Sequence, residues 1–334
     1  MALNDKLFHP KDIVCPICGT TFTRYTLKKK QFSLNSRDID YRPTYLGDVK
    51  PRFYSVCVCP KCFYAAEDKY FCPLMSAEEA RQKELMENHR SQWAAASRVK
   101  AASSGQQIWK DVESEKLKDL SPISKLILQK ISPLLDKVSV DIRKKGKPIN
   151  ELLKEGDHES VIRSWELAAV CYKARKANHR ILGYTYLSGA WTARDAYDEE
   201  TDPELKKRYK LFEMAYLKEA IGFLNITNLA TGVEDAFFPD GTKIPKENLP
   251  QARVFEIMYI LAGANRLIGN IDASNKFLEQ IIYGASGAQG VILWFVNQAR
   301  EMRHDESAEE AAEALEKDSE DEENGEESEE EDEE

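Results

Sequence analysis

The sequence predicts a mainly α-helical protein, with a small β domain at its N-terminal end and a disordered acidic tail at its C-terminal end. Three observations support this prediction. Two Cys-x-x-Cys pairs lie within the first 62 residues. Apolar residues recur at helical spacing from about residue 155 to residue 304. Residues 305–334 are almost all acidic or small, and such a composition buries too little apolar surface to fold.

The four cysteines of the two pairs are candidate metal ligands. Each pair supplies two soft sulfur atoms from one tight turn, and two such pairs are typical of a tetrahedral structural zinc site. One pair alone would be weaker evidence, because thioredoxin-like redox sites share its spacing. Proline follows the first cysteine of each pair, which favours a zinc ribbon. The predicted ligands are Cys15, Cys18, Cys59 and Cys62.

A site with four sulfur ligands has no position left for a catalytic water, so the metal is predicted to be structural. Rubredoxin-like iron is the alternative, because a tetrahedron of thiolates accepts either ion. Cys57 could compete as a ligand, since it would project to the same strand face as Cys59. We interpret it instead as a small buried residue, and we interpret Cys72 and Cys171 in the same way.

Residues 1–75 are predicted to form the zinc-ribbon-like domain. Two segments in it, 22–34 and 52–60, alternate well enough to be short strands. The stretch between the two cysteine pairs is longer than a minimal ribbon requires. This length predicts an insertion or a flexible loop near residues 37–50.

Residues 76–150 are predicted to be a helical connector. Ser76 and Glu79 form a capping-box pattern, and a second helix is expected to start at Ser121. The basic segment 143–148 is interpreted as a linker. The helices that follow are therefore expected to fold without the ribbon.

Residues 151–304 are predicted to be a TPR-like helical domain. The segment from Tyr259 to Ile282 has the pattern of a helix, a Gly-Asn turn and a second helix. Small residues, Ala262 and Ser274, stand where the two helices would cross closely, which resembles a tetratricopeptide repeat. The helices are expected near 158–176, 178–198, 203–225, 250–268, 271–283 and 289–303.

Charge is distributed unevenly along the chain. The net charge is −10, yet the segment from Glu306 to Glu334 contains 18 acidic residues and one Lys, which leaves +7 for the rest. A basic front and an acidic tail suggest an electrostatic role. Much of the positive charge lies toward the N-terminal half, at Lys28, Lys29, Lys30, Arg37, Arg42, Lys50 and Arg52.

Two stretches, "CPICGTTF" and "YSVCVCPKCFYAAEDKY", resemble a bacterial family of unknown function, the one numbered 2225 among such domains. The resemblance implies a metal-binding protein with a TPR-like helical region and no assigned activity. One departure is Phe63, which stands where such a turn usually has Gly. The residues that match the family's motif are Cys15, Cys18, Cys59, Cys62, Tyr64, Ala65 and Ala66.

No catalytic constellation is visible in the sequence, so the protein is predicted not to be an enzyme. The five histidines are scattered and none forms an i, i+4 pair. The glycine-rich stretch 284–290 lacks the Gly-Lys-Ser/Thr ending of a phosphate-binding loop. We interpret it as the end of one helix and the approach to the next.

The leading interpretation is a cytoplasmic protein with structural zinc and a helical-repeat surface for a protein or peptide partner. No secretory signal and no membrane-length apolar run is seen. The first alternative is a nucleic-acid-binding zinc ribbon with the acidic tail as an autoinhibitory segment. The second is a rubredoxin-like iron electron carrier.

Overall fold

The computed structural model describes residues 7–28, 32–47, 49–67, 71, 126–132, 147–285 and 289–304. Several predicted features lie outside these residues: the helix starting at Ser76, the helix start at Ser121, Cys72, and the acidic tail from residue 305. In the part that is described, the protein is mainly helical with small antiparallel hairpins near its N-terminus. This agrees with the predicted fold class.

The strands pair in three hairpins: β1 with β2, β3 with β4, and β5 with β6. A short 3-10 helix, Pro51–Tyr54, precedes β5. The strands are β1 (Phe8–Val14), β2 (Thr21–Leu27), β3 (Ser33–Arg37), β4 (Pro43–Leu46), β5 (Val56–Val58) and β6 (Ala65–Glu67).

The six helices predicted after residue 151 are all present, with ends within a few residues of those expected. They are preceded by a short helical stretch, α1, and by a helix of seven residues, α2. Helix α2 was not predicted. The helices are α1 (126–132), α2 (Ile149–Glu155), α3 (His158–Ala174), α4 (His179–Glu199), α5 (Pro203–Ala230), α6 (Gln251–Leu267), α7 (Ile271–Gly284) and α8 (291–304).

One expectation for the β domain was wrong. Residues 52–60 are not one continuous strand, because Pro51 begins the 3-10 helix and only Val56–Val58 remain extended. Near residues 37–50, the structure agrees with the predicted insertion rather than with a flexible loop, because β4 lies there and pairs with β3, which ends at Arg37.

The first compact unit comprises Met1–Ser36 and Pro43–Thr227. Its hydrophobic core contains residues of the ribbon and of the first helices together, among them Tyr64, Phe71, Trp165 and Tyr172. Residues of the ribbon, α2 and α3 therefore lie in one core. The boundaries at residues 75 and 151 stay predictions, and most of the predicted linker, 143–148, lies outside the described residues.

The second compact unit comprises Arg37–Arg42 and the chain from Asn228 onward. In its described part, α6, α7 and α8 share one core. Gly269, at the turn between α6 and α7, has a φ of 80°, which glycine adopts without strain. Ala262 and Ser274 are fully buried, as expected for a close helix crossing. The tetratricopeptide assignment itself stays a prediction.

Within the described ranges, every helix is either too short or too polar to span a bilayer.

Candidate metal centre

Four cysteine sulfurs meet in an arrangement that can hold a metal ion. The sulfurs of Cys15, Cys18, Cys59 and Cys62 all lie within 4.8 Å of one another. The Cys15 and Cys62 Sγ atoms are 3.5 Å apart, and those of Cys18 and Cys59 are 3.6 Å apart. A tetrahedral zinc site with Zn–S bonds of about 2.3 Å has S···S edges of about 3.8 Å. The sulfur set therefore fits a tetrahedral thiolate site.

The two Cys-x-x-Cys turns have the same backbone design. In the first, Cys15 N donates to Thr20 O (2.9 Å) and Gly19 N donates to Cys15 O (3.0 Å). In the second, Cys59 N donates to Tyr64 O (2.9 Å) and Phe63 N donates to Cys59 O (3.0 Å). We call these turns the first knuckle (Cys15–Thr20) and the second knuckle (Cys59–Tyr64).

Phe63 has the same backbone conformation as its counterpart in the first knuckle. Gly19 has a φ of 67° and Phe63 a φ of 56°. Both lie in the left-handed region, which glycine tolerates and a phenylalanine adopts only at a cost. The departure from the family motif therefore changes the strain in the turn and leaves its geometry intact.

Most of the four cysteine side chains are buried. Cys15 and Cys59 have no exposed surface, Cys62 is buried and Cys18 is partly exposed. Burial raises the pKa values of the Cys15 and Cys62 thiols well above their usual range. Hydrogen bonding from Cys15 lowers the pKa of Cys18 far below that range. Buried thiolates need a compensating positive charge, which a divalent metal ion would supply.

Polar groups near the first knuckle point at its sulfurs. Ile17 N donates to Cys15 Sγ at 3.4 Å. Thr20 Oγ1 lies 3.2 Å from Cys18 Sγ, where its hydroxyl could donate to a thiolate. Such hydrogen bonds stabilise the charged form of a thiol and orient a ligand.

The second knuckle is fixed by α3. Tyr64 is fully buried, and its hydroxyl accepts a hydrogen bond from Arg175 at 2.9 Å. Ala65 N donates to Cys171 Sγ at 3.4 Å, and Glu67 N donates to the Tyr172 hydroxyl at 2.8 Å. The sequence did not reveal these supporting roles, because Cys171 and Tyr172 of α3, and Arg175 at its C-cap, lie more than a hundred positions from their partners.

The extra cysteines behave as predicted where the structure describes them. Cys57 is buried outside the four-sulfur cluster, and burial raises its pKa to about 12. Cys171 is buried in the core, where burial again raises the pKa to about 12.

Several basic side chains of the N-terminal half are engaged within the chain. Arg42 pairs with Asp38, Arg52 pairs with Asp195, and Lys50 pairs with Glu199. Arg42 and Arg52 are also buried. Lys29 and Lys30 lie outside the described residues. Much of the positive charge counted in the sequence is therefore not a free surface for phosphates.

Comparison with known proteins gives the family. The family described as "Uncharacterized protein conserved in bacteria (DUF2225)" matches residues 8–110 and 122–305, which is most of the chain. The chain belongs to this bacterial family. The match includes both knuckles and the helices through α8, so it extends well beyond the motif that first suggested it.

One curated relative is an "Uncharacterized protein" of Borreliella burgdorferi (strain ATCC 35210 / DSM 4680 / CIP 102532 / B31). It is 28% identical over 88 residues, which cover 24% of this chain and 30% of that protein. The chain thus matches less than a third of the relative's length. No solved structure matches the chain.

Proposed function

We propose that Cys15, Cys18, Cys59 and Cys62 hold one structural zinc ion that fastens the β domain to helix α3. The observation that carries this proposal is the closed cluster of four sulfurs within 4.8 Å, built into the same core as α3. When bound, zinc would supply the positive charge that buried thiolates require. The residues around it would hold the two knuckles in register.

A structural role follows from the ligand set. Four thiolates complete a tetrahedral coordination sphere and leave no place for water or substrate. We therefore propose a protein that acts by binding other proteins rather than by catalysis at the metal. Reduced cysteines are typical of the cytoplasm, which is the compartment we propose.

The partner surface is proposed to lie on the helices. In the second unit, α6 and α7 form an antiparallel pair around a tight turn, which is the building block of peptide-binding helical arrays. Among the described residues, Arg42, Arg52 and Lys50 already pair with carboxylates, which makes them a poorer surface for nucleic acid.

Metal content and colour test the metal proposal. The purified full chain should contain about one zinc per chain and show no visible absorption; a coloured protein containing iron would favour the electron-carrier alternative. The Cys62→Ser variant should lose the metal. Cys57→Ser is the matched control, because Cys57 is also buried nearby but lies outside the cluster. Full zinc retention in Cys62→Ser would overturn the ligand assignment.

Partner binding needs its own test. A partner recovered with the full chain should be reconstituted from purified components, with a measured Kd. Zinc-free Cys62→Ser protein should bind it more weakly if the metal maintains the interaction scaffold. An absence of any reconstitutable partner would count against the interaction function.

A further inference from the structure

Residues Arg37–Arg42, here called the tip segment, are grouped with the helices of the second unit. The backbone of this segment lies directly on α6. A Cβ placed on Gly263 would be 2.1 Å from Ile39 O and 2.7 Å from Asp40 Cα. No side chain fits at that distance, so the helix accepts the segment only because residue 263 is glycine.

The ring of Tyr41 lies in an aromatic cluster formed by α6 and α8. Its centroid is 6.2 Å from Tyr259, 5.7 Å from Trp294 and 5.5 Å from Phe295. The Arg37 guanidinium lies 3.9 Å from the Tyr41 ring centroid. These distances are those of favourable aromatic and cation–π contacts.

The backbone at Tyr41 is strained to allow this. Asp38 N donates to Arg42 O (2.9 Å) and Tyr41 N donates to Asp38 O (2.8 Å), which closes a tight turn. Tyr41 has a φ of 68°. The left-handed conformation is unfavourable for residues other than Gly, Asn or Asp. The ring contacts explain why a tyrosine stands where a turn would normally have glycine or asparagine.

A buried carboxylate completes the contact. Asp40 has no exposed surface. Its Oδ1 accepts a hydrogen bond from Arg42 N at 3.4 Å, so this side chain helps to close the turn that presents Tyr41. The helices therefore receive a close backbone contact and an aromatic ring from one short turn shaped by a buried aspartate. Aromatic anchors and close backbone contacts are what peptide-recognition surfaces use.

We propose that the surface of α6 and α8 is a recognition site for a tight peptide turn carrying an Asp-aromatic pair, and that the tip segment is its built-in occupant. This inference rests on the proposed interaction function and names the partner's chemistry. The tethered segment has an effective concentration on the order of mM, so it outcompetes most outside peptides. A partner turn that presents its ring without a strained residue is favoured over the tip segment, because it does not carry the strain at Tyr41. The chain is thus autoinhibited at this site.

A labelled cyclic peptide of residues 36–43 is the probe, and fluorescence polarisation with the full chain is the measurement. Wild-type protein should bind it weakly, because the tip segment already fills the site. Tyr41→Gly removes the anchoring ring from the tip and relieves the turn. That variant should bind the peptide at least about tenfold more tightly.

A second substitution on this background tests the location. Adding Gly263→Ala should abolish peptide binding, because the new methyl group collides with the incoming backbone. Adding Gly222→Ala is the matched control, since a Cβ there meets nothing within 4 Å. Equal binding with and without Gly263→Ala would overturn the proposal, as would an unchanged affinity after Tyr41→Gly in a folded chain.

If Tyr41→Gly does not fold, hydrogen exchange on the wild-type chain provides a second test of the proposal. Millimolar peptide should accelerate exchange of the hydrogen-bonded Asp38 and Tyr41 amides by displacing the tip segment. Unchanged exchange at saturating peptide would mean that the tip is a permanent part of the fold, and the proposal would fail. That failure would leave the proposed function standing, provided that zinc is retained and a reconstituted partner still binds elsewhere.

Discussion

The first and second knuckles have the same ligand spacing and matching backbone hydrogen bonds, but very different surroundings. The first joins β1 to β2, and its second cysteine, Cys18, is partly exposed. The second joins β5 to β6, and Tyr64 within it is fully buried. In the described residues, Tyr64 accepts from Arg175, the C-cap of α3, and the strand β6 that follows donates to Cys171 and Tyr172 of α3.

The difference shows that two copies of one sequence motif can be stabilised by different interactions. Three residues of each knuckle are buried, but the strands that flank them differ: β1 is largely exposed and β2 only partly buried, whereas β5 and β6 are largely buried. We therefore expect the first knuckle to depend more on the ion than the second. The metal would then connect an element that is already fixed with one that is not.

Metal removal is expected to have the largest effect, and to be unequal between the knuckles. Binding of structural zinc contributes on the order of 10 kcal/mol to small zinc domains. Chelation should accelerate amide exchange strongly at Gly19 and through β2, and much less at Ala65 and Glu67. Hydrogen exchange with and without chelator measures this.

A control for the chelator is the Cys15→Ser variant, which should show the same unequal pattern without any reagent. Equal loss of protection at both knuckles would mean that the second knuckle also depends on the ion. The contrast drawn above would then be wrong.

Tyr64→Phe is expected to have the next largest effect. It removes the hydroxyl that accepts from Arg175 inside the core, and such a loss at a charged donor costs about 2 kcal/mol. Thr20→Val is the matched change at the corresponding position of the first knuckle, and it should cost less than about 1 kcal/mol. Denaturant unfolding of the zinc-loaded proteins gives both values. Equal costs would contradict the asymmetry.

Substitutions at the two left-handed residues are expected to have smaller effects, which differ between the knuckles. Gly19→Ala should cost about 1–2 kcal/mol, since alanine is disfavoured at φ 67°. Phe63→Gly relieves a similar strain but loses a partly buried side chain, so its net effect should stay within about 1 kcal/mol. Thermal unfolding compares the two variants. A large loss in Phe63→Gly would show that ring packing, not backbone strain, dominates there.

The sequence predicted the cluster of four cysteines, the family and the helix positions because each depends on local spacing. Cys-x-x-Cys pairs and apolar periodicity are visible within a few residues, as at Cys59 and along α6. The partners of the second knuckle were not predicted, because Arg175 and Cys171 reach it only through tertiary packing. The role of Gly263 was missed for the same reason: nothing near it in the chain indicates that residues 37–42 lie on it.

The smallest expected effect is on the alkylation of the Cys171 thiol. Its thiol lies behind the second knuckle, and burial raises its pKa to about 12, so at pH 8 only about one thiol in 10⁴ is ionised. Alkylation of native protein followed by mass spectrometry should leave Cys171 unmodified. After chelation, the partly exposed Cys18 should react first and Cys171 should still be protected, because the core around the second knuckle persists without the ion. Early labelling of Cys171 in chelated protein would show that this core opens when the metal leaves, and that both knuckles depend on it equally.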